Sequence, residues 1–237
     1  MKKFPVFFSL LAFNAAIAVD DLGQLLFQDD FERSESQELK DEPGNGWGTN
    51  SKSRAKGNKQ VDLKDGAMHI TMHAEADHAV SVTHPAEFTD GTVRLRFLLE
   101  DAQDSLSLNF ADLEFKQVHA GHLFAVNVSP KKVQIVDMKS GGMRIDIREA
   151  RLAKQALNAE QQQAIKGKDK TFAHALETGK WHEISVQVSG DTVSVAINGQ
   201  EVGNFSSPGM AHPTKRMLRL GVPHKAVVDD VKIWRKG

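Results

Sequence analysis

Between Trp181 and Gly199 apolar and polar side chains alternate, and the alternation restarts after each short polar break. Ile184, Val186 and Val188 are separated by Ser185 and Gln187; Val193, Val195 and Ile197 follow after Ser189-Gly190-Asp191. Period two is the signature of a half-buried strand, because successive side chains point to opposite faces. Asn198-Gly199 then supplies two residues that tolerate positive φ, the requirement of a tight hairpin turn. A meander of antiparallel strands is therefore predicted, ending in Val227-Val228-Asp229-Asp230-Val231-Lys232-Ile233-Trp234.

The same spacing recurs upstream. Strand-like runs cover Ala67–Met72, Ala79–Thr83, Gly91–Leu99, Ser105–Phe110, Leu113–Lys116, His122–Val128 and Lys131–Met138, many of them separated by Gly, Asp, His-Pro or Ser-Pro. Short strands at this interval predict an all-β sandwich. Two segments depart from it. Residues 34–60 are rich in Gly, Asn, Ser and Lys, and a connection this long is usually functional or irregular. Residues 148–168 are rich in Ala, Leu, Gln and Glu, with Leu152, Ala156 and Leu157 at helical spacing, so one inserted surface helix is expected there.

The first 18 residues have the layout of a secretory signal peptide: Lys2-Lys3, an apolar run from Phe4 to Phe13, then Ala16-Ile17-Ala18. Cleavage after Ala18 is expected, leaving a single domain over residues 19–237 that is secreted or periplasmic. Nothing later in the chain supplies the ~20 apolar residues a spanning helix needs. The chain has 30 basic and 31 acidic residues and a net charge of −1, without the basic excess of a nucleic-acid binder. It contains no Cys, so an exported fold must rest on packing, with a metal ion as the only other staple available.

Three motifs carry a resemblance. Gly179-Lys180-Trp181-His182, the hairpin Val193-Ser194-Val195-Ala196-Ile197-Asn198-Gly199 and the closing Val228-Asp229-Asp230-Val231-Lys232-Ile233-Trp234 resemble the C-terminal half of concanavalin-A-like, laminin-G-like sandwiches. More narrowly, they are similar to the secreted bacterial domains grouped as 3-keto-disaccharide hydrolases, and Leu26-Phe27-Gln28-Asp29-Asp30-Phe31 resembles that family's opening strand. The resemblance implies a jelly roll of two antiparallel sheets and a glycan or oligosaccharide as partner. If the first and last strands pair, Asp29 or Asp30 comes near Asp229 or Asp230. Related sandwiches often hold a structural calcium in such a place, so Asp30 and Asp229 are its expected ligands; calcium takes carboxylate and carbonyl oxygens.

Candidate chemistry comes in three groups. Val93, Leu95 and Phe97 pointing inward would put Arg94 and Arg96 on the opposite face, with Ser107 and Asn109 lining the neighbouring strand and Lys116, His73 and His84 added. Guanidinium forks match carboxylate, sulfate or vicinal hydroxyls, so this face is the expected ligand site, with Asp77-His78 at its rim. Asp112 and Glu114 on one strand face would stand ~6.7 Å apart, a separation suited to glycoside cleavage, with His119 or His122 as a base. His119 and His122 across a Gly-containing turn could also converge on a metal. The chain has no Tyr and three Trp; Trp47, flanked by Gly46 and Gly48, is the one ring free to stack on a sugar or to plug the long loop. Three readings stay open: glycan recognition, glycoside hydrolysis, and a structural or adhesion module.

Overall fold

The computed structural model describes residues 22–237, so the expected leader lies outside the described residues. In chain order the strands are β1 (Gln24–Asp29), β2 (Gly48–Thr49), β3 (Val61–Lys64), β4 (Ala67–Thr71), β5 (Val80–Phe88), β6 (Gly91–Leu98) and β7 (Leu106–Ala111). They continue as β8 (His122–Ser129), β9 (Lys132–Asp137), β10 (Asp169–Ala173), β11 (Trp181–Ser189), β12 (Thr192–Ile197), β13 (Gln200–Ser206), β14 (Lys215–Val222) and β15 (Lys225–Arg235). Helices are short: α1 (Ser51–Arg54), α2 (Ile145–Leu152) and α3 (Ala159–Ile165).

Two antiparallel sheets result. The first runs β13-β12-β11-β6-β15-β4-β3, with β1 also paired to β15; the second runs β10-β9-β8-β7-β14-β5-β2. This is the jelly-roll sandwich expected. Val93, Leu95 and Phe97 from the first sheet enter one core with Leu106, Leu108, Phe110 and Phe124 from the second. Phe110 and Phe124 stack at 4.5 Å on neighbouring strands. The hairpins follow the predicted chemistry, with Asn198 and Gly199 at φ 52° and 75° between β12 and β13.

The two ends of the chain lie side by side, because β1 pairs with β15 from Gln24↔Arg235 to Asp29↔Val231. Strand β15 first pairs with β4 and then with β1, and its register against β6 shifts between Asp229 and Lys232. Asp230 adopts φ 48° there, so the Asp-Asp pair forms a bulge that bends the strand from one neighbour to the other.

Two expectations are corrected. The single helix over 148–168 is two helices, α2 and α3, with Lys154 at φ 54° between them. Asn158 opens the second through a capping box: its side chain accepts from the Gln161 N–H while the Gln161 amide oxygen accepts from the Asn158 N–H. Residues 113–116 are not a strand. The Asp112 carboxylate accepts the Glu114 N–H at 2.9 Å, and the Phe115 N–H reaches the Asp112 carbonyl at 3.1 Å, which turns the chain after β7.

Candidate functional site

Alternation along β7 and β14 leaves Ser107, Asn109, Arg219 and Gly221 on the outer face of the second sheet, opposite the core residues Leu108, Leu218 and Leu220. Register sets them in two rows. Gly221, Ser107, Asn127 and Gln134 face one another across β14, β7, β8 and β9, and Arg219 stands beside Asn109 one step along. His122 begins β8 after a one-turn 3₁₀ helix, His119–Gly121, in which Ala120 and Gly121 take φ 48° and 68°. A Cβ on Gly121 would lie 2.3 Å from the Asp112 carbonyl oxygen, so only glycine lets this turn close against the end of β7.

These elements enclose a depression of about 400 Å³ lined by Arg54, His78, Ser107, Asn109, His119, His122, Met138, Arg219 and Gly221, among others. None of its lining residues is acidic. At its floor Arg219 Nη1 lies 3.0 Å from His122 Nδ1 and 3.3 Å from Nε2, and Nη2 donates to the Ala120 carbonyl at 3.3 Å. Asn109 Oδ1 is 3.1 Å from His122 Nδ1 and 3.4 Å from Arg219 Nη1, while its Nδ2 reaches the Met138 sulfur at 3.1 Å. Arg219 can only donate, so a neutral ring keeps one nitrogen free to accept from it. Burial, joined by the charges of Arg219, His119, His78 and Arg148, pushes the His122 pKa down to about 3. Burial, then Arg148 and Arg219, also holds His119 below its ordinary value. The His119 ring sits 6.1 Å from that of His122 and makes no side-chain hydrogen bond to another described residue. Both imidazoles are thus kept neutral beside a fixed cation.

A second depression of about 470 Å³ adjoins the first and shares Ala79, Ser107 and Gly221 with it. Asn127, Ser129 and Gln134 line it, and its carboxylate, Asp104, is bonded to His224.

The residues expected to act together are divided among different places. Arg94 and Arg96 lie on the outer face of β6, which runs between β11 and β15, whereas Asn109 belongs to the other sheet. They face opposite sides of the molecule, because alternation tells which residues point outward but not from which sheet. Arg96 pairs with Asp229 at 3.1 Å and covers the Trp181 ring; Arg94 covers Trp234. His84 points inward, stacked on Phe27 at 3.6 Å, and burial lowers its pKa. Trp47 is 7% exposed and donates its indole N–H to Asp29 at 2.8 Å, so it plugs the loop and offers no stacking platform. His73 borders a separate hollow with Lys59 and His69, and Lys116 closes its own turn on the Leu113 carbonyl.

The expected acid pair is likewise split. Asp112 is buried against His212 at 3.0 Å, and burial, outweighed by that bond, the Glu114 N–H and the Arg216 charge, leaves its pKa lowered. Glu114 is exposed and paired with Arg216 at 2.9 Å. The acids expected to hold calcium lie beside cations. Asp29, Asp229 and Asp230 each pair with Arg33, Arg96 or Lys232, and no group of three acidic or histidine side chains fit to hold a metal occurs among the described residues. His119 and His122 do share one depression, joined there by His78. Arg219 and Arg54 were not singled out from the sequence; Leu218-Arg219-Leu220, an arginine inside a strand-like alternation, was the available signal.

The fold defines a concanavalin-A-like jelly roll with a basic, polar depression on one sheet. Residues 36–232 match the 3-keto-alpha-glucoside-1,2-lyase-like domain, and the chain belongs to that family. Among solved structures it is similar to a β-glucanase of Bacillus licheniformis (TM-score 0.59, 9% identity, covering 91% of this chain and 99% of that one). It is similar also to a laminarinase from Flavobacterium sp. UMI-01 (0.57, 11%, 89% and 100%) and to the carbohydrate binding module CBM66 from Bacillus subtilis (0.50, 13%, 78% and 93%). At these identities the likeness is one of fold. No curated protein matches the chain in sequence. No helix among the described residues is long and apolar enough to cross a membrane.

Proposed function

We propose that the depression over Arg219 and His122 binds a glucoside oxidised to a ketone at C3 and eliminates its C1 substituent. The family's description, a 3-keto-alpha-glucoside-1,2-lyase-like domain, supplies the substrate class. The carrying observation is local: two neutral imidazoles and a guanidinium converge on a hollow whose lining contains no carboxylate. Hydrolysis by a pair of acids needs two carboxylates flanking the bond. Removal of a proton next to a carbonyl needs a neutral base and a donor for the oxygen that becomes negative.

His119, with an unengaged ring, is the base. The C2–H bond breaks, its proton passes to the imidazole, and the electron pair moves onto the C3 oxygen, held by Arg219. Return of that pair restores the carbonyl, forms C1=C2 and breaks the C1–O bond, and the departing oxygen takes a proton from the imidazolium. His122 and Asn109 position the guanidinium. Water added across the new double bond would complete a net hydrolysis. An extracellular or periplasmic setting belongs to the same proposal, resting on the leader pattern of residues 1–18.

The test is proton exchange at C2. A 3-keto-α-glucoside incubated in deuterated water should lose its C2 proton signal and release its aglycone, and His119→Ala should abolish both. A substrate that binds with no exchange and no release favours the recognition reading, to which the polar row Ser107, Asn127 and Gln134 lends hydrogen-bonding groups. No binding of any keto-glucoside sinks both.

A further inference from the structure

From the charge of the same depression we infer that its natural ligand carries an oxyanion, a carboxylate or a sulfate ester, in addition to the keto group; this rests on the assignment of the hollow as the sugar site. Two guanidiniums, Arg54 and Arg219, and three imidazoles, His78, His119 and His122, line it, and they arrive from four separate segments of the chain. Of the other arginines, Arg33, Arg94, Arg96, Arg144 and Arg216 each have a carboxylate within 4 Å, and Arg151 and Arg235, which have none among the described residues, are exposed to solvent. Arg219 has none among the described residues, although it is half-buried, and Arg148 on α2 has none either. Arg54 has Asp77 at 3.6 Å, but both side chains are at least half exposed.

A partly desolvated guanidinium without a counter-ion is unfavourable, and like charges around it add to the cost. A ligand that brings a permanent negative charge removes that cost. A neutral glucoside does not, since its carbonyl oxygen becomes negative only during reaction and needs a single donor. Arg54 comes from α1 and His78 from the loop before β5, so both are supplied by segments other than the strands that carry Arg219 and His122. The guanidinium fork of Arg54 matches two oxygens of a carboxylate or of a sulfate ester.

Calorimetry with three unoxidised probes tests this without any turnover: methyl α-glucoside, methyl α-glucuronide and methyl α-glucoside 6-sulfate. At low salt at least one charged probe should bind about tenfold or more tightly than the neutral one, and the difference should shrink as salt rises. Preference for the glucuronide identifies a carboxylate, and preference for the sulfate an ester. The double variant Arg54→Gln, Arg148→Gln should reduce the charged-to-neutral ratio several-fold, and Asp77→Asn should raise it by freeing Arg54. Equal affinity for all three probes, or no binding of either charged one, overturns the inference. Because no probe carries a ketone, failure of the C2 exchange assay leaves this result standing, and the converse holds too.

Discussion

Arg219 on β14 reaches past β7 to place Nη1 3.0 Å from Nδ1 of His122 on β8. Burial, then this contact, keeps the ring neutral, since a guanidinium holds its proton at any ordinary pH and repels an imidazolium beside it. The neutral ring also couples stability to pH. The folded ring titrates near 3, mainly through burial, and an exposed histidine near 6.5. Between those values the unfolded chain holds a proton that the folded chain lacks, so falling pH favours unfolding. The contribution is complete above about pH 6.5 and is lost progressively toward pH 3, on the order of a few kcal/mol in all. Denaturant midpoints measured from pH 4 to 7 should rise with pH, and His122→Gln should flatten that slope. An unchanged slope would mean that the ring is already protonated in the fold.

Replacing the guanidinium itself separates binding from chemistry. Arg219→Met keeps much of the stem's packing and removes the group assigned to the developing oxygen charge. Loss of one such donor lowers kcat by about 100- to 1,000-fold. A fall of less than about tenfold on a 3-keto-α-glucoside would remove Arg219 from that role.

Trp47 is the ring that composition alone makes most attractive for sugar stacking, and its position argues the opposite. Its N–H and the Arg33 guanidinium both hold the Asp29 carboxylate, which burial would raise but these donors, with the Phe31 N–H and Asn45, lower. Trp47→Phe should therefore cost about 1–3 kcal/mol of stability by leaving a buried charge one donor short. Ligand affinity should not change. A loss of sugar binding with an unaltered melting temperature would restore the stacking role.

Calcium can be decided by calorimetric melting. If Arg96 and Lys232 already neutralise Asp229 and Asp230, millimolar calcium or excess chelator should leave Tm within about 1 °C. A bound ion at 100 times its Kd would add about 2.7 kcal/mol, a shift of several degrees.

What the sequence made readable was whatever depends on neighbours along the chain. Ile184, Val186 and Val188 announce β11, and Asn198-Gly199 the turn after β12, because side-chain period and positive φ are local properties. The meeting of the two ends was reachable from the matching strand-like runs at residues 26–31 and 227–234. The site was readable only in part: Asn109, His119 and His122 stood out, but their grouping around Arg219 did not, and the reason is topological. Arg94, Arg96 and Asn109 all alternate outward from core residues, but β6 and β7, consecutive in sequence, lie in different sheets, so the face they were expected to share does not exist. Arg219, 110 positions beyond Asn109 in the chain, is its direct cross-strand partner. Asp112 and Glu114 were misread for a smaller reason: one side-chain hydrogen bond to the Glu114 N–H ends the strand before either acid reaches it.

Gly221 joins the two depressions, and its missing side chain is the feature that makes them one groove. It sits on β14 facing outward, in line with Ser107, Asn127 and Gln134, and its φ is not in the left-handed region. A Cβ there would meet Ser107 at 3.4 Å, an ordinary contact, so backbone geometry does not demand glycine. Flanking strand residues suit a β-branched replacement, and Gly221→Val should keep or slightly raise stability, within about 1 kcal/mol. Its methyl groups would, however, rise between the hollow over Arg219 and the one over Asn127. A keto-glucoside with a methyl aglycone should still react, whereas one carrying a second sugar should lose about tenfold or more in kcat/KM, equivalent to about 1.4 kcal/mol. Equal losses on both substrates would mean that the valine blocks the reactive hollow itself, and no loss on either would mean that the second sugar leaves the groove before it reaches β9.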